Sequence, residues 1–210
     1  MGTAFIWDLD GTLIDSYAVM VPSLCELCRI YGLPAEREAI HSAVIASSVR
    51  AFLQKTADGS GLSFEELKKR YDEISEQRNG EIRPIPQAKE TLEALSAAGA
   101  RHFVYTHRGG SAEEILARLG LHAFFEEIVT ARSGFARKPA PDAIDDLVAR
   151  HALDRGSTYY VGDRTLDMDC AKNAHIKGIL YLPAGSYCRA NGAEDHIVRS
   201  LPEIAALGLS

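Results

Sequence analysis

From residue 87 to residue 183, short apolar runs alternate with amphipathic stretches, and that alternation leaves few folds open. Residues 87–98, 111–119, 140–151 and 166–174 carry apolar side chains at helical spacing. Between and after them, "ARHFVYT" (100–106), "EEIVTA" (126–131), "TYYVGD" (158–163) and "GILYLP" (178–183) read as strands. One more apolar run, Ala4-Phe5-Ile6-Trp7, places a strand at residues 4–9. Strands that alternate with helices make a parallel sheet with helices over it, joined by right-handed crossovers.

The stretch between the first strand and this repeat has a different character. Residues 16–31 hold Val19, Leu24, Leu27 and Ile30 at helical spacing, and Gly32 and Pro34 end that helix. Residues 36–57 form one or two further helices. Ser63 opens a capping box, Ser-Phe-Glu-Glu, for a charged amphipathic helix over 64–79. Pro84 and Pro86 close this block. The expected architecture is therefore α/β. Residues 1–14 and 84–210 form a Rossmann-like parallel sheet core, and residues 15–83 form an α-helical domain inserted after strand one. Neither G-x-G-x-x-G nor G-x-x-x-x-G-K-[ST] occurs, which speaks against dinucleotide and P-loop chemistry.

Composition narrows the partners. With 210 residues, 46% of them hydrophobic, the chain can build a substantial core. Its net charge of −6 argues against nucleic acid or an anionic membrane as a partner, but not against a small anion in a local cationic pocket. No apolar run nears the ~18 residues of a membrane span, and no signal peptide is expected ahead of the acidic strand end. Cys25 and Cys28 form a lone C-x-x-C in a helical pattern. With Cys170 and Cys188 they read as reduced cysteines of a cytoplasmic protein.

In open parallel sheets, ligands bind beyond the carboxyl ends of the strands. Strand one ends in Asp8 and Asp10. The strand at 102–106 ends in Thr106, followed by His107 and Arg108. The strand at 158–162 ends in Asp163, with Asp167 four residues on, and Lys138 precedes the helix that feeds that strand. Each residue has an ordinary explanation. Thr106 can be a locally satisfied hydroxyl, Lys138 a solvated cation, Asp163 a helix cap and Asp167 a partner of the helix dipole. Together they put carboxylates, a hydroxyl and a lysine on one rim. Asp8 and Asp10, two apart in extended chain, project to the same side, where their repulsion would be relieved by a hard cation. Magnesium takes oxygen ligands and keeps room for a phosphate. A carboxylate beside it can attack phosphorus while its neighbour moves the proton. Gly11 and Thr12 permit a tight turn whose N–H groups face an anion.

With "DLDGTL" (8–13), Thr106, "RKPAPD" (137–142) and "VGDRTLDM" (161–168) in this order, the chain resembles the haloacid dehalogenase superfamily of aspartyl-nucleophile hydrolases. The inserted helices look like that superfamily's small α-helical cap, as in phosphoglycolate phosphatases and β-phosphoglucomutases. The resemblance implies that Asp8 is the nucleophile and that Asp10 is the acid and base. It implies Mg2+ held by Asp8, the Asp10 main-chain carbonyl and Asp163, with Asp167 orienting that site. Thr106 and Lys138 would hold the phosphoryl group.

Asp10 argues against carbon–halogen chemistry, which has no alcohol to protonate. Sugar phosphomutases keep a histidine in the first cap helix where Met20 stands, so a phosphatase of a small phosphorylated metabolite, phosphoglycolate-like, is expected ahead of a mutase or a non-catalytic phosphate-binding relative. Arg50 is the cap candidate for a substrate anion, and a solvated helix arginine otherwise. The His107 loop is expected to touch the phosphate pocket, and Arg164 to pair with a carboxylate. Oligomeric state is not legible in the sequence.

Overall fold

A computed structural model describes residues 2–208. In chain order its strands and α-helices are β1 (Ala4–Trp7), β2 (Ile14–Asp15), α1 (Tyr17–Ile30), α2 (Arg37–Ala46), α3 (Val49–Ser60), α4 (Phe64–Gln77), β3 (Arg83–Pro84), α5 (Ala88–Ala97), β4 (Arg101–Tyr105), α6 (Ser111–Arg118), β5 (Glu127–Val129), α7 (Asp142–Arg150), β6 (Thr158–Gly162), α8 (Thr165–Asn173), β7 (Lys177–Tyr181), β8 (His196–Val198) and α9 (Glu203–Ala206). The chain forms two compact units. One takes in the chain up to Ile14 and everything from Arg83 onward; the other spans Asp15–Ile82.

The first unit is built on a six-stranded sheet in the order β5-β4-β1-β6-β7-β8, with every pairing parallel. Counted within the sheet, this is the doubly wound order 3-2-1-4-5-6. The chain lays β4 and β5 on one side of β1, then crosses to lay β6, β7 and β8 on the other. β1 is buried along its whole length, as are all but the first residue of β4 and all of β6. That explains why these runs are continuously apolar and do not alternate, since helices cover both faces. Ile6, Phe103, Tyr105 and Tyr160 pack with Ile144 and Leu147 of α7 and Cys170 and Ala171 of α8 in one core cluster.

The second unit is a four-helix body. Leu24, Leu27, Ile40, Val44, Leu53, Leu67, Tyr71 and Ile74 meet in a single apolar cluster drawn from α1, α2, α3 and α4. The Ser48 hydroxyl accepts the Ala51 N–H and caps α3, and Ser63 accepts the Glu66 N–H and caps α4. Cys25, Cys28 and Cys170 are buried, Cys188 is half-buried, and all four are free. Among the described residues, no helix is long and apolar enough to cross a membrane.

One local expectation is corrected. The first strand ends at Trp7, not at residue 9, so Asp8 and Asp10 do not share the face of an extended strand. Gly11, at φ 87°, turns the chain, and the N–H groups of Leu13 and Ile14 both donate to the Leu9 carbonyl. That left-handed backbone is where glycine avoids the strain other residues carry.

Beside β1 lies a buried histidine. His102 is 1% exposed, accepts the Trp7 indole N–H at Nδ1 (3.1 Å) and stacks on Phe5. Burial pushes its pKa down from 6.5 to about 4. The unfolded chain takes up that proton near pH 6.5, whereas the folded protein resists it down to about pH 4. The stability contributed by the neutral ring is therefore whole above pH 6.5 and is lost as pH falls toward 4. Urea unfolding at pH 7 and at pH 4.5 should show the gap between wild type and His102→Leu narrowing by about 2 to 3 kcal/mol at the lower pH. A gap independent of pH would contradict this account.

Candidate active site

The doubly wound order creates a switch point at β1, where the chain departs toward β4 on one side and β6 on the other. Ligands of such sheets sit in the crevice outside the strand ends at that point. Asp8 follows β1, Thr106 follows β4 and Asp163 follows β6, so sheet topology alone gathers them. The Asp8 N–H donates to the Val161 carbonyl (2.8 Å), which extends the β1–β6 ladder by one residue and fixes where its carboxylate begins.

Lys138 reaches this point from the loop before α7. Its Nζ donates to Asp8 Oδ1 (2.5 Å) and to Asp167 Oδ1 (2.9 Å), and its side chain is wholly buried. The ammonium also lies 5.0 Å from the ring centroids of both Tyr105 and Tyr160. The Tyr160 hydroxyl donates to the Tyr105 carbonyl (3.1 Å). Two carboxylates and two aromatic faces thus replace the water a lysine loses on burial. Burial alone would push Lys138 down, but Asp167 and Asp8 outweigh it and hold the amine above the ordinary lysine range.

The two carboxylates that share the ammonium are not equivalent. Asp167 opposes its burial with the Lys138 and Arg164 charges and also accepts the Arg164 N–H (3.2 Å), so its pKa falls below the usual value. Asp8 has less help. Burial pushes it up, Lys138 pulls it back, and repulsion from Asp167 leaves it at about 6. Asp167 is thus a repelling neighbour that the sequence spacing did not suggest. Asp8 Oδ2 is buried and finds no hydrogen-bond partner among the described residues.

Asp8, Asp163 and Asp167 bring one carboxylate oxygen each to within 4.8 Å of one another, and all three residues are buried. Three carboxylates gather near the Lys138 ammonium and the Arg164 charge, which still leaves this donor set with excess negative charge. With one Asp8 oxygen buried and without a hydrogen-bond partner among the described residues, the set fits a hard, oxygen-seeking cation.

Around this cluster, Thr106 Oγ1 accepts the Arg108 N–H (3.0 Å). His107 Nε2 accepts the Lys138 main-chain N–H (2.9 Å), so its ring fastens the lysine's backbone. Burial, with Lys138 and Arg137 nearby, pushes His107 down to about 3 and keeps it neutral. Asp10 has a different cation as its partner. Arg108 grips it through Nε (3.0 Å to Oδ1) and Nη2 (2.6 Å to Oδ1). Arg50 belongs to the helical unit, where its guanidinium lies 4.7 Å from the Phe64 ring centroid.

Sequence reasoning missed Tyr105, Tyr160 and the Arg108–Asp10 pair, and it overlooked Gly162. A Cβ on Gly162 would meet the Asp167 Cβ at 2.4 Å and its Cγ at 2.5 Å. A glycine inside an otherwise apolar strand marks such a close approach, and that signal was available.

The sequence matches the family model described as haloacid dehalogenase-like hydrolase over residues 5–181. The chain belongs to the haloacid dehalogenase-like hydrolases. It is similar to the phosphoglycolate phosphatase of Agrobacterium fabrum, with 31% identity over 181 residues, 83% of this chain and 78% of that protein. It is also similar to the phosphoglycolate phosphatase of Vibrio cholerae, with 29% identity over 178 residues, 80% of this chain and 79% of that protein. The fold matches the crystal structure of a predicted phosphoglycolate phosphatase from Haemophilus somnus 129PT at a TM-score of 0.85 and 23% identity, over 98% of this chain and 97% of that one. Within this hydrolase family the chain is of the phosphatase kind.

Gly162→Ala tests the packing of the cluster. The new methyl collides with the root of Asp167, not with a flexible tip. Overpacking of about 1–3 kcal/mol predicts a melting temperature lower by about 5 °C, seen by calorimetry, together with a loss of phosphate release. Unchanged melting and activity would show that Asp167 has room to move.

Proposed function

We propose that the protein is a magnesium-dependent phosphomonoesterase that acts through an aspartyl-phosphate on a small, phosphoglycolate-like metabolite. One observation carries this reading: the buried Asp8 carboxylate, held by Lys138 at one oxygen and without a hydrogen-bond partner among the described residues at the other, within reach of Asp163 and Asp167 at the switch point of the sheet.

Asp8, Asp163 and Asp167 are the side chains that would hold or orient magnesium. When bound, the ion would draw charge off the phosphoryl oxygens and make phosphorus more electrophilic. Lys138 holds Asp8 in one orientation and presents positive charge where the equatorial phosphoryl oxygens gather negative charge. Asp8 attacks phosphorus, and the bond from phosphorus to the ester oxygen breaks. Asp10 gives its proton to the departing alcohol. Asp10 then takes a proton from water, which attacks the phosphorylated Asp8, and inorganic phosphate leaves with Asp8 restored. The Thr106 hydroxyl, buried at the end of β4, donates to a phosphoryl oxygen. His107 acts through Lys138, by the hydrogen bond to its main chain.

Phosphoglycolate as substrate class is supported by the relatives' activity, and a cytoplasmic setting by four free cysteines. Purified protein should release phosphate from 2-phosphoglycolate in the presence of magnesium. It should lose that activity to a chelator and regain it when the ion is returned. Asp8→Asn should lower turnover at least about 10⁴-fold with an unchanged circular dichroism spectrum. Normal turnover by that variant would remove Asp8 as nucleophile, and interconversion of a sugar phosphate without free phosphate would favour the mutase reading.

A further inference from the structure

Asp10 and Arg108 raise a difficulty for the proton transfer just described. The acid must be able to hand a proton to an ester oxygen, yet the guanidinium grips its carboxylate through Nε at 3.0 Å and 3.3 Å and through Nη2 at 2.6 Å. A carboxylate in that two-pronged clasp has its oxygens engaged by the guanidinium and is oriented by it. The reaction therefore needs the pair to open, and something must take the place of Asp10 on Arg108.

The geometry points to the substrate's own carboxylate as that replacement, which makes Arg108 the residue that selects esters with an acidic tail and releases Asp10 only when one is bound. The inference rests on the phosphatase reading above and assigns to Arg108 both a specificity and a positioning role.

Four observations support it. The guanidinium already engages a carboxylate, with Nε and Nη2 turned to it, so the chemistry of the competitor is set by the group it would displace. The main chain of Arg108 is pinned at both ends. Its N–H donates to Thr106 Oγ1 (3.0 Å), and its carbonyl accepts the Ala131 N–H (3.0 Å). The side chain can thus change partner while its anchor stays next to the hydroxyl that faces the phosphoryl group. The pair is also reachable. The side chains of Arg108 and Asp10 are 12% and 17% exposed, against 0% and 3% for Lys138 and Asp8. Finally, Arg132 lays its guanidinium against Gly110, occupying the space a Cβ there would fill, so a second cation stands beside the loop that carries Arg108. A carboxylate that displaces Asp10 from Arg108 takes up hydrogen bonds of the same kind, and Asp10, once exchanged, is the neighbour that turns to the ester oxygen.

The test compares 2-phosphoglycolate with ethyl phosphate, which replaces the carboxylate by a methyl group, in wild type, Arg108→Gln and Arg108→Lys with magnesium present. Wild type should favour the acidic ester in kcat/KM by about 100-fold or more, as sites built to pair a polar group reject analogues that lack it. Arg108→Gln should collapse that ratio toward one, with the fall in the acidic ester appearing largely in KM. Arg108→Lys, with charge but no fork, should restore only part of it. A selectivity ratio that Arg108→Gln leaves intact would overturn the inference. So would an equal fall for both esters, since that is what a purely structural arginine would give. Calorimetry in an Asp8→Asn background provides a readout that needs no turnover. There Arg108→Gln should weaken 2-phosphoglycolate more than 10-fold relative to inorganic phosphate, and an unchanged relative affinity would also overturn it. If wild type releases phosphate from neither ester, the phosphatase reading fails, and the binding comparison still decides the role of Arg108.

Discussion

The buried ammonium of Lys138 is the contact on which the site depends. Without it, Asp8 and Asp167 would be two neighbouring carboxylates far from water, a placement in which one of them would take up a proton. With it, Asp167 is held ionised and Asp8 stays within reach of ionisation. The lysine in turn depends on them, since burial alone would discharge it. Tyr105 and Tyr160 complete the enclosure with their ring faces, so the charge is screened by fixed groups and not by mobile solvent. Such an arrangement is already organised before any phosphate arrives, which is the condition for electrostatic catalysis.

That balance is possible only because the sheet delivers its parts to one place. β1 lies between β4 and β6, so residues about a hundred and a hundred and fifty positions from Asp8 end their strands beside it. Asp167 comes from the first turn of α8, and Gly162 lets that turn press against the sheet by having no side chain to obstruct it. Lys138 arrives in the loop ahead of α7, with its main chain fastened by His107. Each group is placed by backbone that regular structure already fixes, so little ordering is left for the substrate to induce.

Much of this was legible in the sequence. The alternation of apolar runs and amphipathic stretches gives the parallel sheet, because strand and helix periods differ enough to read along one chain. The strand ends then nominate Asp8, Thr106 and Asp163, and the motifs around them nominate Lys138 and Asp167. What stayed hidden was pairing. Spacing suggested that Asp8 and Asp10 share a face, but the strand stops at Trp7 and the turn at Gly11 sends them to different cations, Lys138 and Arg108. Tyr105 and Tyr160 read as core residues because their rings are core; only the approach of Lys138 gives them a second use. His107 and Arg108 are adjacent, yet one ring is turned to a backbone N–H and the other side chain to a carboxylate. No one-dimensional pattern encodes that divergence. The short strand β8 and helix α9 were also not foreseen, since three and four residues carry too little periodicity to register.

The two ion pairs divide the labour of the site by their exposure. Lys138 with Asp8 and Asp167 is sealed, and an ammonium so thoroughly enclosed has no vacant direction in which to trade partners. Arg108 with Asp10 is partly open, and a guanidinium at an open edge can exchange one carboxylate for another at small net cost, because the bond lost and the bond gained are of the same kind. A phosphatase needs both behaviours. In the mechanism we propose, Asp8 as nucleophile has to wait in one orientation, whereas Asp10 as proton donor has to move between an alcohol oxygen and a water. Placing the rigid pair at the buried end of β1 and the exchangeable one two residues later, past the glycine turn, lets a single short segment of chain supply a fixed group and a mobile one.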